Sequence, residues 1–298
     1  MTKIIVSCLF FVCSCLLGGL TGVLADELQV SKLSTVLESG KLRAGTRAAF
    51  PPFATRRENG EFEGFSVDIL KLITKSLSQR FNKEIKLEIR EITTANRISA
   101  VSNGDVDIVC GLTTVTRARE KHIDFSVPFF VDGTRILVRR DKTVESISAL
   151  KGASVGVLQY STTVEILENY AQEVNAIAFD DMDKAMQSFV AGRIAGVSNV
   201  GVFLASKQKE YGGEFSMEII PRGHSLKSEH FACILPQDES SFRDAVNFAL
   251  VDSYKDINSF GGQYMEIYLK WFGRNGSINF PISDQHRSLL ANTRIWID

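Results

Sequence analysis

Two arginines of this chain stand where strand-like segments end. Arg47 follows the first such segment with Phe50 close behind it, and Arg97 opens a helix-like segment just after Thr94. A guanidinium group grips a carboxylate through two parallel hydrogen bonds, and a threonine hydroxyl adds another donor. One such arginine is most often a solvated surface charge. Two at corresponding strand ends, each beside donors, favour a site that binds an anionic group of a ligand, in which Phe50 lines the wall or belongs to the core.

Two pairs of threonines add further donors. Thr113 and Thr114 follow a third strand-like segment, and Thr162 and Thr163 open a helix-like segment in the second half of the chain. The first backbone amides of a helix attract an anion. An ordinary N-cap needs the same residue types, and the two roles are compatible. We therefore predict that all four threonines bind the ligand.

The motifs of common catalytic and metal sites are missing from the sequence. It contains neither a Gly-x-x-x-x-Gly-Lys phosphate loop nor a Gly-x-Ser-x-Gly nucleophile elbow. Its four histidines lack metal-ligand spacing, and His224 and His230 are expected to be exposed loop residues. The net charge of -1 gives no basic footprint for nucleic acid. We expect no enzyme activity, no metal, no cofactor and no nucleic-acid partner.

The segments that carry these residues alternate between strand and helix patterns. Residues 41–110 follow the order β-α-β-α-β, and residues 153–220 have a similar order, which implies largely parallel sheets covered by helices. Ligands of open α/β sheets bind outside the carboxyl ends of the strands, where the arginines and threonines lie. The predicted strands are residues 41–45, 85–92, 106–110, 153–158, 175–179, 194–197 and 215–220, and the predicted helices are residues 65–77, 97–103, 162–171, 183–190, 202–209, 240–250 and 264–272.

Two crossings are expected to join these two units. A chain that leaves the first unit near residues 134–139 and returns near residues 229–235 forms a two-strand hinge beside a cleft. The predicted fold class is therefore α/β with two lobes and a two-strand hinge. The C-terminal helices must pack on one of the two sheets, and residues 280–298 are expected to form a surface tail that packs locally. The predicted division is a signal peptide at 1–25, lobe 1 at 26–136, lobe 2 at 137–229, and the rest of lobe 1 with the tail at 230–298.

The first 25 residues have the pattern of a secretory signal peptide. Lys3 supplies a positive start, residues 4–17 are apolar, and Val23-Leu24-Ala25 resembles a cleavage site. A membrane anchor is the alternative, but the apolar stretch is short and no basic cluster follows it. We predict export to the periplasm and cleavage after Ala25.

Cysteine usage is consistent with export. Of the five cysteines, Cys8, Cys13 and Cys15 would leave with the signal peptide, so that only Cys110 and Cys233 remain. Two cysteines in an oxidising compartment favour a single disulfide bond. Two separate buried thiols are the alternative.

Two stretches of the sequence resemble the periplasmic amino-acid-binding proteins of ABC importers (solute-binding family 3). Residues 64–69 look like the family signature apart from Ser66, and residues 111–120 running into residues 123–129 are similar to its most specific stretch. The resemblance covers about residues 30–280. It implies the two-lobed periplasmic binding protein fold, a small-molecule ligand, a membrane permease of an ABC importer as partner, and a monomer.

The glutamate/aspartate-binding branch of this family is the most similar, through residues 96–98, 109–111, 113–114, 133–135 and 162–165. The resemblance implies that Arg47 and Thr94 hold a side-chain carboxylate of the ligand. It also implies that Arg97 and Thr114, helped by Thr163, hold the α-carboxylate. The implied ligand is an acidic amino acid or a related dicarboxylate.

Two positions depart from that branch. Met182 falls where the branch has a histidine, and Val200 falls near its aspartate for the ligand ammonium. Asn199 can still accept a hydrogen bond from the ammonium, and Asp181 is another candidate acceptor. A desolvated ammonium without a charged partner is costly, so we expect weaker discrimination between L-glutamate and amino-free acids such as 2-oxoglutarate. The alternative function is an exported enzyme like cyclohexadienyl dehydratase, but that chemistry needs an acid in the cleft.

Overall fold

The computed structural model of the chain describes residues 31–140, 146–213 and 215–293. The predicted signal peptide lies outside these residues, as does the end of the predicted tail. None of the helices within them is long and apolar enough to cross a membrane.

The described residues form ten α-helices and fourteen strands. The helices are α1 (Lys32–Ser39), α2 (Phe65–Phe81), α3 (Arg97–Ser102), α4 (Arg117–Glu120), α5 (Thr162–Tyr170), α6 (Met182–Val190), α7 (Gly201–Tyr211), α8 (Ser240–Ser253), α9 (Gly262–Phe272) and α10 (Asp284–Thr293). The strands are β1 (Lys41–Thr46), β2 (Ala49–Phe50), β3 (Ala54–Arg56), β4 (Phe62–Glu63), β5 (Lys86–Glu91), β6 (Ile108–Val109), β7 (Asp124–Phe125), β8 (Phe130–Arg139), β9 (Ser154–Leu158), β10 (Asn175–Phe179), β11 (Gly196–Val200), β12 (Met217–Ile220), β13 (Ser228–Phe231) and β14 (Ile234–Leu235).

The first sheet has the strand order β5-β1-β6-β14-β7. Strand β1 is parallel to β5 and β6, while β14 is antiparallel to β6 and β7. The side chains of Leu42 and Ala44 in β1 are fully buried, which ties this strand to the core. Because β1, β5 and β6 are parallel, the loops that follow them meet at one edge of the sheet.

The second sheet has the strand order β10-β9-β11-β8-β12. Strand β9 is parallel to β10 and β11, and β8 is antiparallel to β11 and β12. Helix α5 begins at Thr162, soon after β9 ends. A small antiparallel sheet of β2, β3 and β4 follows β1 along the chain.

Strands β8 and β13 connect the two large sheets. Residues 130–133 of β8 pair with residues 228–231 of β13, and β8 then continues beside β11 in the second sheet. Gly133 lies in this crossing, where an added Cβ would come within 2.2 Å of the Ser225 hydroxyl oxygen. The crossing begins a few residues earlier than predicted. The predicted fold class, two α/β lobes joined by a two-strand hinge, is confirmed.

The core of the first lobe is centred on helix α2. Phe65, Ile69 and Ile73 lie at helical spacing, and all three are fully buried. The Phe65 ring lies 5.0 Å from the Phe272 ring of α9, and α8 also packs against α2. The C-terminal helices therefore complete the first lobe.

The predicted disulfide is present between Cys110 and Cys233. Both residues are fully buried. Cys110 follows β6 and Cys233 precedes β14, so the bond joins two neighbouring strands of the first sheet.

The segment predicted as a surface tail differs from that prediction. Its helix α10 buries His286 and Leu290. The His286 ring lies 4.7 Å from the Phe130 ring, and its Nε2 is 2.9 Å from the Tyr264 hydroxyl. Burial lowers the pKa of His286 to about 3, so this imidazole is neutral at physiological pH. Periodicity did not reveal the helix because apolar residues are few in this segment.

Candidate functional site

Seven of the eight predicted ligand residues line one cleft between the lobes. Thr113 is the exception, because it is buried beside the hinge and its carbonyl accepts a hydrogen bond from the Ala232 backbone N–H. The cleft is lined by Arg47, Phe50, Thr94, Arg97, Leu112, Thr114 and Arg119 from the first lobe, by Leu158, Ser161, Thr162, Thr163, Asn199 and Val200 from the second, and by Glu229 and Phe231 from the hinge.

Arg97, the first residue of α3, is buried in this cleft. Its Nη1 donates to the Thr94 carbonyl at 2.9 Å, and its Nη2 donates to the Tyr160 carbonyl of the second lobe at 3.4 Å. Its Nε has no hydrogen-bond partner among the described residues. Burial, with the positive charges of Arg119 and Arg47, holds the pKa of Arg97 well below its usual value. A buried cation with an unused donor is a strong candidate to bind an anion.

Arg47 follows β1 and packs against an aromatic pair. Its guanidinium carbon lies 3.4 Å from the centre of the Phe50 ring, close enough for a cation–π interaction. The Phe50 ring stacks on Phe203 of α7. Burial lowers the pKa of Arg47 to about 9, so it stays charged at neutral pH. Phe50 thus lines the cleft and belongs to the core at the same time.

Arg119 is a third cleft arginine, and no role was predicted for it from the sequence. Its Nη1 donates to the Thr114 carbonyl at 2.6 Å. Burial lowers the pKa of Arg119, and the carboxylates of Glu229 and Glu165 oppose that effect. Its position shortly after the strand end at Thr113 and Thr114 was the sequence feature that could have indicated a place in the cleft.

Glu229 is the second cleft residue for which no role was predicted from the sequence. It lies in β13 of the hinge with only 2% of its surface exposed. Its Oε1 accepts from the Thr134 hydroxyl at 2.7 Å, and its Oε2 accepts from the hydroxyls of Thr114, at 2.7 Å, and Thr162. The carboxylate therefore joins both lobes and the hinge. Its position at the predicted return crossing was the only signal in the sequence.

The charges of the cleft do not balance. Three arginines face one cleft carboxylate in the part of the chain that the structure describes. A ligand with more than one negative charge would offset this excess, because charge interactions are stronger away from water.

The two lobes lie close together across the cleft. The Thr114 and Thr162 hydroxyl oxygens are 3.2 Å apart, and the enclosed space is about 30 Å³. Typical small-molecule pockets are roughly ten or more times larger, so a ligand can enter only when the lobes separate.

The two positions that depart from the glutamate/aspartate branch have different surroundings. Met182 is buried in the core and does not line the cleft, whereas Val200 does. Asp181 is exposed and caps α6 by accepting from the Asp183 backbone N–H. Asn199 lines the cleft, but its side-chain oxygen already accepts from the Val200 backbone N–H at 2.8 Å. Asp181 does not line the cleft, so it is not an acceptor for a ligand ammonium in this arrangement.

Histidines and acids give no sign of a metal centre. Within residues 31–140, 146–213 and 215–293, no group of three or more His, Cys, Asp or Glu side chains is arranged to hold a metal ion. His224 and His230 are exposed as predicted, although His230 lies in β13 rather than in a loop.

Comparisons with known proteins show which sequences and folds this chain resembles. The sequence model of the bacterial extracellular solute-binding proteins, family 3, matches residues 42–274. The L-glutamate/L-aspartate-binding protein of Pseudomonas aeruginosa is 27% identical over 281 residues, which cover 91% of this chain and 90% of that protein. The glutamine-binding protein of Geobacillus stearothermophilus is 32% identical over 163 residues, 54% of this chain and 61% of that protein.

A solved structure with a similar fold is an ancestral arginine-binding protein bound to glutamine. It is 32% identical, with a TM-score of 0.69, and the match covers 79% of this chain and 99% of that one. The names of these similar proteins refer to amino acids of different charge.

Proposed function

The chain belongs to the bacterial extracellular solute-binding proteins, family 3, and we propose that it binds an acidic amino acid, L-glutamate or L-aspartate, in its cleft. In this proposal it acts in the periplasm, as a monomer without a cofactor, and delivers the ligand to the membrane permease of an ABC importer. The Pseudomonas aeruginosa relative supports the acidic ligand through its name.

The unbalanced charge of the cleft carries this proposal. Arg47, Arg97 and Arg119 line it together with a single carboxylate. A neutral amino acid such as glutamine offers only one carboxylate to these groups, whereas glutamate and aspartate offer two. Buried charges need partners, so the second carboxylate is the group that the cleft favours.

Each of the seven predicted residues that line the cleft has a role in this proposal. Arg97 holds the α-carboxylate with Thr114 and the first amides of α5, at Thr162 and Thr163, because helix N-termini favour anions. Arg47 and Thr94 hold the side-chain carboxylate. Asn199 lies across the cleft and orients the ligand by hydrogen bonding.

The chain is a binding protein and not an enzyme, as the names of its relatives indicate. The same conclusion was expected from the sequence, because the motifs of common catalytic sites are missing and no acid falls near Val200. The structure nevertheless places one carboxylate, Glu229, in the cleft.

Isothermal titration calorimetry of the ligand-free protein against a panel of amino acids and dicarboxylates tests the proposed function. We expect L-glutamate or L-aspartate to bind most tightly. If L-arginine or a neutral amino acid binds more tightly than either, the ligand class is wrong. Turnover of prephenate or arogenate by the purified protein would favour the enzyme instead.

A further inference from the structure

Glu229 lies in the hinge and also lines the cleft, where it could contact a ligand. It is the only carboxylate that lines the cleft among the described residues. It is almost completely buried, between strands that join the two lobes. A buried negative charge is costly unless positive or hydrogen-bonding groups surround it.

The hydrogen bonds of Glu229 leave room for one more donor. Three hydroxyls donate to it, one from each lobe and one from the hinge strand β8. An ionised carboxylate has about four acceptor positions. No arginine or lysine forms an ion pair with Glu229 in the part of the chain that the structure describes, and Arg119 acts on it only at longer range.

The two cleft hydroxyls are oriented by the same carboxylate. When Thr114 and Thr162 donate their protons to Oε2 of Glu229, their lone pairs are left to accept from another group. An ammonium group has three donors and suits such a cluster. The alternatives are weaker, because Asp181 lies outside the cleft and Asn199 carries no charge.

We propose that Glu229 is the anionic partner of the ligand's ammonium group. The proposal rests on the proposed function, since it assumes an amino acid in the cleft. Glu229 then supplies the carboxylate that is missing near Val200. It also reverses the expectation of weak discrimination: the protein should clearly prefer L-glutamate to glutarate, the same diacid without the ammonium.

Competition calorimetry with L-glutamate and glutarate tests this role in the wild-type protein and in Glu229→Gln. We expect the substitution to weaken L-glutamate binding by about 30-fold or more, as for the loss of one partner of a buried charge pair. Glutarate binding should stay the same or tighten, because the cleft becomes more positive. Equal weakening of both ligands would overturn the proposal and leave Glu229 as a contact that only holds the lobes together.

Three further variants make the result specific. Glu229→Asp keeps the charge and should restore part of the preference for L-glutamate. Thr134→Val removes one hydrogen bond to Glu229 without changing charge, so it should affect both ligands alike. Glu88→Gln makes the same substitution at an ion pair with Lys41, away from the cleft, and should change neither affinity.

The wild-type protein gives a result even if Glu229→Gln fails to fold. Equal affinity for L-glutamate and glutarate in the wild type would overturn the role of Glu229 while leaving an acidic ligand in place. Binding of neither acid would instead contradict the proposed function.

Discussion

The ring of Phe50 in the first lobe stacks on the ring of Phe203 in the second lobe, with centres 4.4 Å apart and planes inclined by 13°. Arg47, which we propose binds the ligand, lies on Phe50 and therefore packs against a contact between the lobes. The geometry links closure of the hinge to the arrangement of the binding site.

Replacing Phe203 by leucine should favour the open arrangement. Leucine keeps an apolar side chain but loses the aromatic contact, which is worth about 0.5–1.5 kcal/mol. We expect a larger radius of gyration of the ligand-free protein by small-angle scattering and affinity weaker by roughly 2-fold to 13-fold. Phe215→Leu is the matched control, because Phe215 pairs with Phe189 within the second lobe. Identical scattering for the two variants would show that the stack does not govern closure.

Arg97→Ala should weaken binding of every amino-acid ligand. The loss of a buried partner for the α-carboxylate costs about 2–5 kcal/mol, or roughly 30-fold to several thousand-fold in affinity. Calorimetry measures this change. Arg90→Ala is the control, because Arg90 lies exposed on β5. Its side chain donates a hydrogen bond to the Asp105 carbonyl. An unchanged affinity in Arg97→Ala would remove this residue from the site.

The protein without its predicted signal peptide should contain no free thiol, because Cys110 and Cys233 are bonded. The bond closes a long loop, because the two cysteines are 123 positions apart in the sequence. Replacing both cysteines by serine should therefore lower the free energy of unfolding by about 2–5 kcal/mol. Thiol titration after denaturation and urea unfolding measure the two effects. Two free thiols in the oxidised wild type would contradict the structure.

The elements that depend on local pattern were predictable. The stripe on α2 and the limits of β10 were correct because each follows from neighbouring residues. The strand β11 was placed too early: it runs to Val200 and brings Asn199 into the sheet. Ser198 and Asn199, which follow the predicted end, are polar and do not mark a strand.

The roles of Glu229 and Arg119 could not be read from local pattern. The contact of Glu229 with Thr114 spans 115 residues, and it exists only because two lobes and a hinge meet there. A lone acid between Ser228 and His230 has no sequence signature of burial. Arg47 and Arg97 were found because they directly adjoin predicted strand ends and helix starts.

Asp132 in the hinge should make stability depend on pH. Burial raises its pKa from 3.8 to about 6, although the Val202 backbone N–H and Arg135 oppose this shift. Because the folded pKa is the higher one, the contribution of Asp132 to stability is present below pH 3.8 and is lost as the pH rises to about 6. The loss is about 3 kcal/mol.

Asp132→Asn tests this effect because asparagine does not titrate. Urea unfolding of the wild type and the variant across this pH range should show a steeper loss of stability in the wild type. The same pH dependence in both proteins would mean that Asp132 does not titrate with the raised pKa.

Direct competition between L-glutamate and L-glutamine for the wild-type cleft tests the central claim. The two ligands have nearly the same shape and differ by one charge, which the arginines of the cleft should recognise. We predict that L-glutamate binds about 30-fold or more tightly than L-glutamine, as measured by competition calorimetry. Equal affinities, or tighter binding of L-glutamine, would contradict the account of an acidic amino-acid-binding protein.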